Sequence, residues 1–473
     1  MRNTRKSLWG LLGLIMAVSA VLAYVAADNN VFAGLIRPTP VSGGPVAVDV
    51  DLVQHKVLAG SDGQVAVSLT LTADQIEAPE DRPAQHADLV VVLDRSGSMS
   101  GKKLQDARQA VLQLIDRLAA RDRLAVVTYS SGVEIVSPLV FMDGDHRNRV
   151  QAAVREIHPG GGTNLGGGLQ QGIATLMQTP ARDRQRKVIL ISDGLANEGI
   201  IDPHVLGAMA AGAVEKNYTV SSVGVGYDFN EVLMTTIADH GAGRYYFLED
   251  PMAFAGVFEK EFEATRQVAA SGLEIRVPLK NGLQVTHAGG FPVQIKDGCA
   301  VIHPGDLLSG QQRKLFLTLR VPTDRERDID LGAFDVSYQA NGATRHLRSR
   351  EKLIMTCVAD KKAVVSSIDQ AAWGDQVVQE DYSRLKERVA DAIRKGEKGD
   401  ALKEIQEYES RNRAVNASVG SGKVAANLAK DLPGLRQSVE ETFAGPPAAV
   451  AEKKKQTSKA LQYESYKIRR DKK

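Results

Sequence analysis

The chain has 473 residues, 43% of them hydrophobic and 25% charged, with a formal net charge of +2. These values exclude a disordered, collagen-like or multiply membrane-spanning chain and leave room for two or three globular cores. Both ends are basic and the body is mildly acidic; without a clustered basic face there is no case for a nucleic-acid partner.

Taken in chain order, Arg2, Arg5 and Lys6 precede an apolar run over 8–27 that stops at Asp28-Asn29-Asn30, the layout of an export signal. Cleavage after Ala27 is permitted, yet a run of about 20 residues also reaches across a bilayer. Residues 1–27 are therefore read as a signal peptide or as a single N-terminal membrane anchor, and the chain as exported to the periplasm, cell envelope or exterior. The only cysteines, Cys299 and Cys357, are open to two readings there, one disulfide or two buried free thiols. No Cys/His spacing suits zinc, and no H-E-x-x-H occurs.

Alternation at Val46, Val48, Val50 and Leu52, and again at Val65, Val67, Leu69 and Leu71, predicts half-buried strands over 41–80. The same period returns at Leu273, Ile275, Val277 and Leu279, at Leu315, Leu317, Leu319 and Val321, and at Phe334, Val336 and Tyr338 before Asn341-Gly342, a hairpin turn signal. One antiparallel β-sandwich, split between 41–80 and 269–360 and interrupted by another domain, is the expectation.

Within 86–268 the apolar runs at 89–93, 124–129, 188–191 and 220–225 lack alternation, as strands buried on both faces of a parallel sheet do. An edge strand is expected over 133–139. Between them lie helical stripes, led by Leu104, Ala107, Val111, Leu114, Ile115 and Leu118, with more helix over 205–216, 231–239 and 253–268. The fold class is thus α/β, a doubly wound, mostly parallel sheet inserted in an antiparallel sandwich. Helical periodicity resumes over 361–444, through Val378, Tyr382, Leu385, Val389 and Ile393 and then Leu402, Ile405 and Tyr408. After Gly445-Pro446-Pro447 the Ala/Lys-rich text over 445–473 reads as a flexible basic tail. Gly420-Ser421-Gly422-Lys423-Val424 lacks the first glycine and the Ser/Thr of a phosphate loop and is read as an interhelical turn.

Three segments carry chemistry. Asp94-Arg95-Ser96-Gly97-Ser98 follows the strand at 89–93, Gly160-Gly161-Gly162-Thr163-Asn164 opens a helix, and Ile191-Ser192-Asp193-Gly194 ends the strand at 188–191. The first falls where doubly wound sheets bind ligands, and the three loops can meet at one rim. Asp94, Ser96, Ser98, Thr163 and Asp193 offer only hard oxygen donors, two anionic and three hydroxyl, which suits Mg²⁺, with Mn²⁺ and Ca²⁺ as the other candidates. Two carboxylates only balance a dication, so a coordination position left open favours a carboxylate from outside. Singly, Asp94 or Ser96 reads equally as a helix cap; the joint pattern points to a metal.

The ordered set D-x-S-G-S, G-G-T-N and I-S-D-G closely resembles the metal-ion-dependent adhesion site of von Willebrand factor type A domains, such as integrin inserted domains, over 87–268. That resemblance implies direct coordination by Ser96 and Ser98, direct or water-mediated coordination by Thr163, and largely water-mediated contacts from Asp94 and Asp193. It also implies that a partner protein's Asp or Glu completes the octahedron. The whole chain resembles exported bacterial proteins in which such a domain interrupts a β-sandwich, and distantly inter-alpha-trypsin inhibitor heavy chains and calcium-activated chloride-channel regulators. The text before the insert is too short for a full heavy-chain domain and the regulators' protease motif is absent, so neither activity carries over.

Three readings follow. A metal-dependent protein-binding module for adhesion or assembly is favoured, and the chain is not expected to be an enzyme. The alternatives are a metal-dependent hydrolase, for which no His or Glu general base stands beside the five oxygens in the sequence, and a scaffold in which the metal only stiffens the rim. Oligomeric state is left open.

Overall fold

In the computed structural model, residues 40–76, 86–178, 184–349 and 353–470 are described; the leader over 1–27 lies outside them. The period-two text near the start does form strands. Gln64–Ala73 runs antiparallel between Val46–Leu52 and Gln312–Arg320, and the register sets Val67 beside Leu52 and Leu317, and Leu69 beside Val50 and Leu315. These apolar rows face a second sheet built on Val268–Pro278, flanked by Cys299–Ile302 and Asp335–Ala340, and the two share one core. Cross-strand rows of this kind are the unit of sheet stability. Asn341 and Gly342, at φ 52° and 72°, close the hairpin between Asp335–Ala340 and Ala343–Arg348, the left-handed pair that a two-residue turn requires. A small third sheet joins Lys56–Leu58, in parallel, to Ile354–Val358. Cys299 and Cys357 lie in different sheets and both are free thiols.

Between the two sandwich halves, a six-stranded sheet runs in the order Ala242–Leu248, Thr219–Val225, Arg184–Ser192, His86–Asp94, Arg123–Tyr129, Val133–Phe141. All neighbours are parallel except the last strand, which is an antiparallel edge. Strand alternation divides its apolar residues between two cores. Leu89, Val91 and Leu93 meet the helices Lys102–Arg117, Gly144–Arg155 and Phe254–Arg266. Val90 and Val92 meet Leu165–Met177, Pro203–Val214 and Glu231–His240. Burial on both faces is why these strands read as continuous apolar runs.

The helical region expected over 361–444 is helical and carries two π-turns. Gln370–Gln376 runs through a π-turn at Val377–Asp381 into Tyr382–Lys395, and Gly422–Ala426 runs through a second at Asn427–Asp431 into Leu432–Thr442. Buried Tyr408 donates from its hydroxyl to Asn427 Oδ1 at 2.8 Å, and Tyr382 donates to the Asp431 carbonyl at 3.1 Å. Gly420, at φ 74°, ends Lys398–Val419, so the glycine-rich stretch there is an interhelical turn with no phosphate-loop strand before it. The outer face of the first sandwich sheet, through Ala66 and Phe316, is buried under these helices.

The text over 445–473, expected to be a flexible tail, is corrected: Pro447–Arg470 is one long helix. Its basic residues find acids on neighbouring elements, Lys455 with Asp228, Lys459 with Glu231, and Arg469 with Glu387. Tyr466 is buried beside Tyr245 and Phe291 lies under Arg470. Composition suggested solvation because the apolar residues of this helix are sparse; partners distant in sequence supply the order. Among the described residues no helix is long and apolar enough to cross a membrane.

Candidate metal site at the carboxyl ends of the central strands

The chain leaves His86–Asp94 for a helix on one face of the sheet and leaves the adjacent Arg184–Ser192 for a helix on the other. A crevice opens where neighbouring strands diverge in this way, outside their carboxyl ends. Asp94 ends one strand and Asp193 directly follows the other, so the topology alone brings the two carboxylates to this crevice.

Local hydrogen bonds fix each group. Ser96 N–H donates to Asp94 Oδ1 at 2.8 Å and Ser192 Oγ donates to Oδ2 at 2.9 Å. Ser98 Oγ lies 3.1 Å from Ser96 Oγ and donates to Asp193 Oδ1 at 2.7 Å. The third segment is tied in through its backbone: Gly97 N–H donates to the Gly161 carbonyl at 3.1 Å, and Gly160 N–H donates to that of Arg95 at 2.8 Å. Thr163 is held by Asn197, whose Oδ1 accepts from the Thr163 N–H at 2.8 Å. A Cβ placed on Gly194 would lie 3.3 Å from Ser98 Oγ and 3.8 Å from Thr163 Oγ1, so these two hydroxyls converge over Gly194. Gly168 plays a matching role one turn into the next helix, where a Cβ would stand 2.5 Å from the ring of buried Tyr129. All five sequence-assigned donors thus meet at one place.

Asp94, Ser96, Thr163 and Asp193 are buried, while Ser98 is open to solvent. Burial, with the nearby charge of Asp193 adding to it, pushes the Asp94 carboxyl up to about 6, against the lowering effect of the Ser96 and Ser192 hydrogen bonds. A buried carboxyl whose charge burial penalises, with a second carboxylate beside it, is what a cation would relieve. The donor set fits a hard divalent ion: two carboxylates, three hydroxyls and no thiolate or imidazole. Among the described residues no group of three or more His, Cys, Asp or Glu could hold a metal; this site depends on hydroxyls for the rest of its shell.

Three neighbours were not legible in sequence. Lys103 Nζ donates to Asp193 Oδ2 at 2.5 Å; its place in the first turn after the Asp94 loop was the available signal. Ser192 supports Asp94 from behind. Glu198 lies over Gly162, where a Cβ would meet its Oε1 at 2.2 Å, and it accepts from Ser131 Oγ at 3.0 Å. Only tertiary placement reveals it as a rim residue.

The family model of the von Willebrand factor type A domain matches residues 88–260. The chain is 32% identical over 172 residues to the uncharacterised protein YfbK of Escherichia coli, a stretch covering 36% of this chain and 29% of that one. It is 31% identical over 177 residues to inter-alpha-trypsin inhibitor heavy chain H3 of Mesocricetus auratus, covering 35% of this chain and 20% of that one. The chain thus spans less than a third of the length of these two relatives. The solved structure of a von Willebrand factor type A protein from Catenulispora acidiphila shares the fold at a TM-score of 0.65 and 18% identity, over 90% of this chain and 98% of that one. Residues 88–260, set between the halves of a β-sandwich and followed by a helical region, thus form a von Willebrand factor type A domain.

Proposed function

We propose that this chain is an exported protein-binding module in which a divalent cation, Mg²⁺ first and Mn²⁺ or Ca²⁺ as alternatives, is held by Asp94, Ser96, Ser98, Thr163 and Asp193. The observation that carries the reading is the convergence of five hard oxygens from three separate segments on one crevice. A bound dication supplies an electrophilic point that two buried carboxylates only neutralise, and it favours an Asp or Glu carboxylate of a partner protein as a further ligand. The chain's own residues position the ligands: Ser192 and the Ser96 amide orient Asp94, and Asn197 orients Thr163.

Binding, as opposed to hydrolysis, is supported by the company the carboxylates keep. Among the described residues, the side chains bonded to Asp94 and Asp193 include Ser96, Ser98, Ser192 and Lys103, hydroxyls and an ammonium, none a general base near neutral pH. Export rests on the leader read over 1–27.

Calorimetric titration of Mg²⁺ into the full chain tests the reading. One-site uptake is expected, lost in Asp94→Ala and Ser98→Ala with the circular dichroism spectrum kept, and capture of a partner from envelope extract should vanish with chelator and with either substitution. A wild-type chain that takes up neither Mg²⁺, Mn²⁺ nor Ca²⁺ would overturn the proposal.

A further inference from the structure

Buried polar atoms without partners are rare and call for an explanation, and several of them gather far from the metal site. Where the first sandwich sheet, the first π-turn and the last helix meet, a small cleft is lined by Phe291, Lys314, Leu315, Gln379, Glu380 and Arg469. Arg469 Nε and Gln379 Oε1 are buried and have no hydrogen-bond partner among the described residues. Nη2 of Arg384 is another such atom, on the arginine whose Nε lies 3.2 Å from Glu380 Oε1. The free space suits a single ion, not an organic molecule.

The wall is built, not incidental. The Arg469 side chain is only 7% exposed, and its Nη2 donates to Glu387 Oε1 at 2.5 Å. Any Cβ on Gly290 would overlap its guanidinium, so the turn after the sandwich strand must be glycine there for the arginine to lie against it. Lys314 Nζ is held by Asp375 Oδ2 at 3.0 Å. Burial pushes the Glu380 carboxyl up to about 7, against Arg384 and Arg469, with Asp381 and Glu387 adding to the rise. When Glu380 is protonated, the cations Lys314, Arg384 and Arg469 outnumber the carboxylates Asp375 and Glu387 by one. Asp381 has its own compensation in Arg411, Arg384 and Arg388. His287, the other titratable group beside Arg384, is held below its ordinary value by burial and by that arginine. Turning the Gln379 amide about its last torsion exchanges its unpartnered oxygen for N–H donors.

We propose that this cleft binds one small monovalent anion, of the size of chloride, with Glu380 in its protonated form. The guanidinium N–H of Arg469, the Gln379 amide and the Glu380 O–H are its donors, and Phe291 and Leu315 form the apolar walls. An anion there repels an ionised Glu380, so uptake of the anion brings a proton with it, and affinity falls as pH rises through 7. Between pH 6 and pH 8 the protonated fraction, and with it the affinity, drops about tenfold.

The test is thermal unfolding of the full chain in sodium chloride and in sodium gluconate at equal ionic strength and equal Mg²⁺. Chloride is expected to raise the melting temperature by about 2–4 °C at pH 6 and by much less at pH 8. Arg469→Gln should abolish the chloride effect. Gln379→Glu, which leaves the Arg469–Glu387 pair intact, should abolish it as well, so the test survives if the arginine variant does not fold. Glu380→Gln should keep the effect and make it equal at both pH values. In crystals grown with bromide, anomalous scattering should place the halide between Arg469 Nε and Gln379. Equal melting temperatures in the two salts at pH 6, a chloride effect that survives Gln379→Glu, or a cleft that holds water only would overturn the proposal. A pH dependence that persists in Glu380→Gln would overturn the proton linkage.

Discussion

Lys103 Nζ donates to Oδ2 of Asp193 at 2.5 Å while Ser98 Oγ donates to Oδ1 of the same carboxylate at 2.7 Å. Asp193 is thereby shared between a hydroxyl of the proposed ligand set and a fixed ammonium, and the shared carboxylate is fully buried. Lys103 stands in the first turn of Lys102–Arg117, directly after the Asp94 loop, so chain connectivity sets it there.

A positive charge beside a dication weakens its binding, and the same charge compensates a buried carboxylate. Lys103→Met is expected to tighten Mg²⁺ uptake by about tenfold and to lower the melting temperature measured in chelator. Calorimetric titration and thermal unfolding read the two effects. Unchanged affinity would show that the ammonium does not act on the ion.

The C-terminal helix should be an integral part of the fold. Lys459 Nζ donates to Glu231 Oε2 and to the Phe229 carbonyl, both at 2.7 Å, and lies 4.1 Å from the centre of the Phe229 ring. Burial alone would raise the Glu231 carboxyl; Lys459, with help from Arg394, reverses that and holds it below its ordinary value. Removing one partner of such a buried pair leaves the other charge uncompensated, so Lys459→Met is expected to cost about 3 kcal/mol in urea unfolding. Adding Glu231→Leu should recover most of the loss. Strictly additive costs would show that the pair is not coupled.

The joint between the sandwich and the helices should respond to pH. Glu380 is buried in the first π-turn, and burial pushes its carboxyl up to about 7 although Arg384 Nε lies 3.2 Å from Oε1 and Arg469 also lowers it; Asp381 and Glu387 add to the rise. The folded value lies above the unfolded one. Its stabilising contribution is therefore complete below about 4.5 and is lost as pH rises through 7. Relative to wild type, Glu380→Gln should gain roughly 2–3 kcal/mol of unfolding free energy between pH 5 and pH 8. A difference that does not vary with pH would contradict the burial argument.

The legible parts of the sequence were those whose physics is local. Leu89, Val91 and Leu93 read as a strand buried on both faces because no polar residue interrupts them, and helices do cover both faces. The five oxygen donors were legible because two short segments directly follow or end a buried strand and the third, glycine-rich, opens a helix. Pro447–Arg470 was misread because its composition resembles a solvated terminus, while the acids that order it, Asp228, Glu231 and Glu387, lie far off in sequence. The Gln64–Ala73 strand was half legible: Val65, Val67 and Leu69 announced one buried face, but Ala66, on the other face, is buried only because helices settle there.

By itself, then, the sequence determined most of the strands and helices, the last helix excepted, and which oxygens suit a hard cation, since periodicity and donor chemistry are properties of neighbouring residues. Only the tertiary structure decided that Lys103 would share Asp193 with Ser98, that Asn197 would hold Thr163, and that the last helix would seat on the von Willebrand factor type A domain. Each of these joins groups from separate elements, and their meeting depends on how layers pack against one another, which no local pattern encodes.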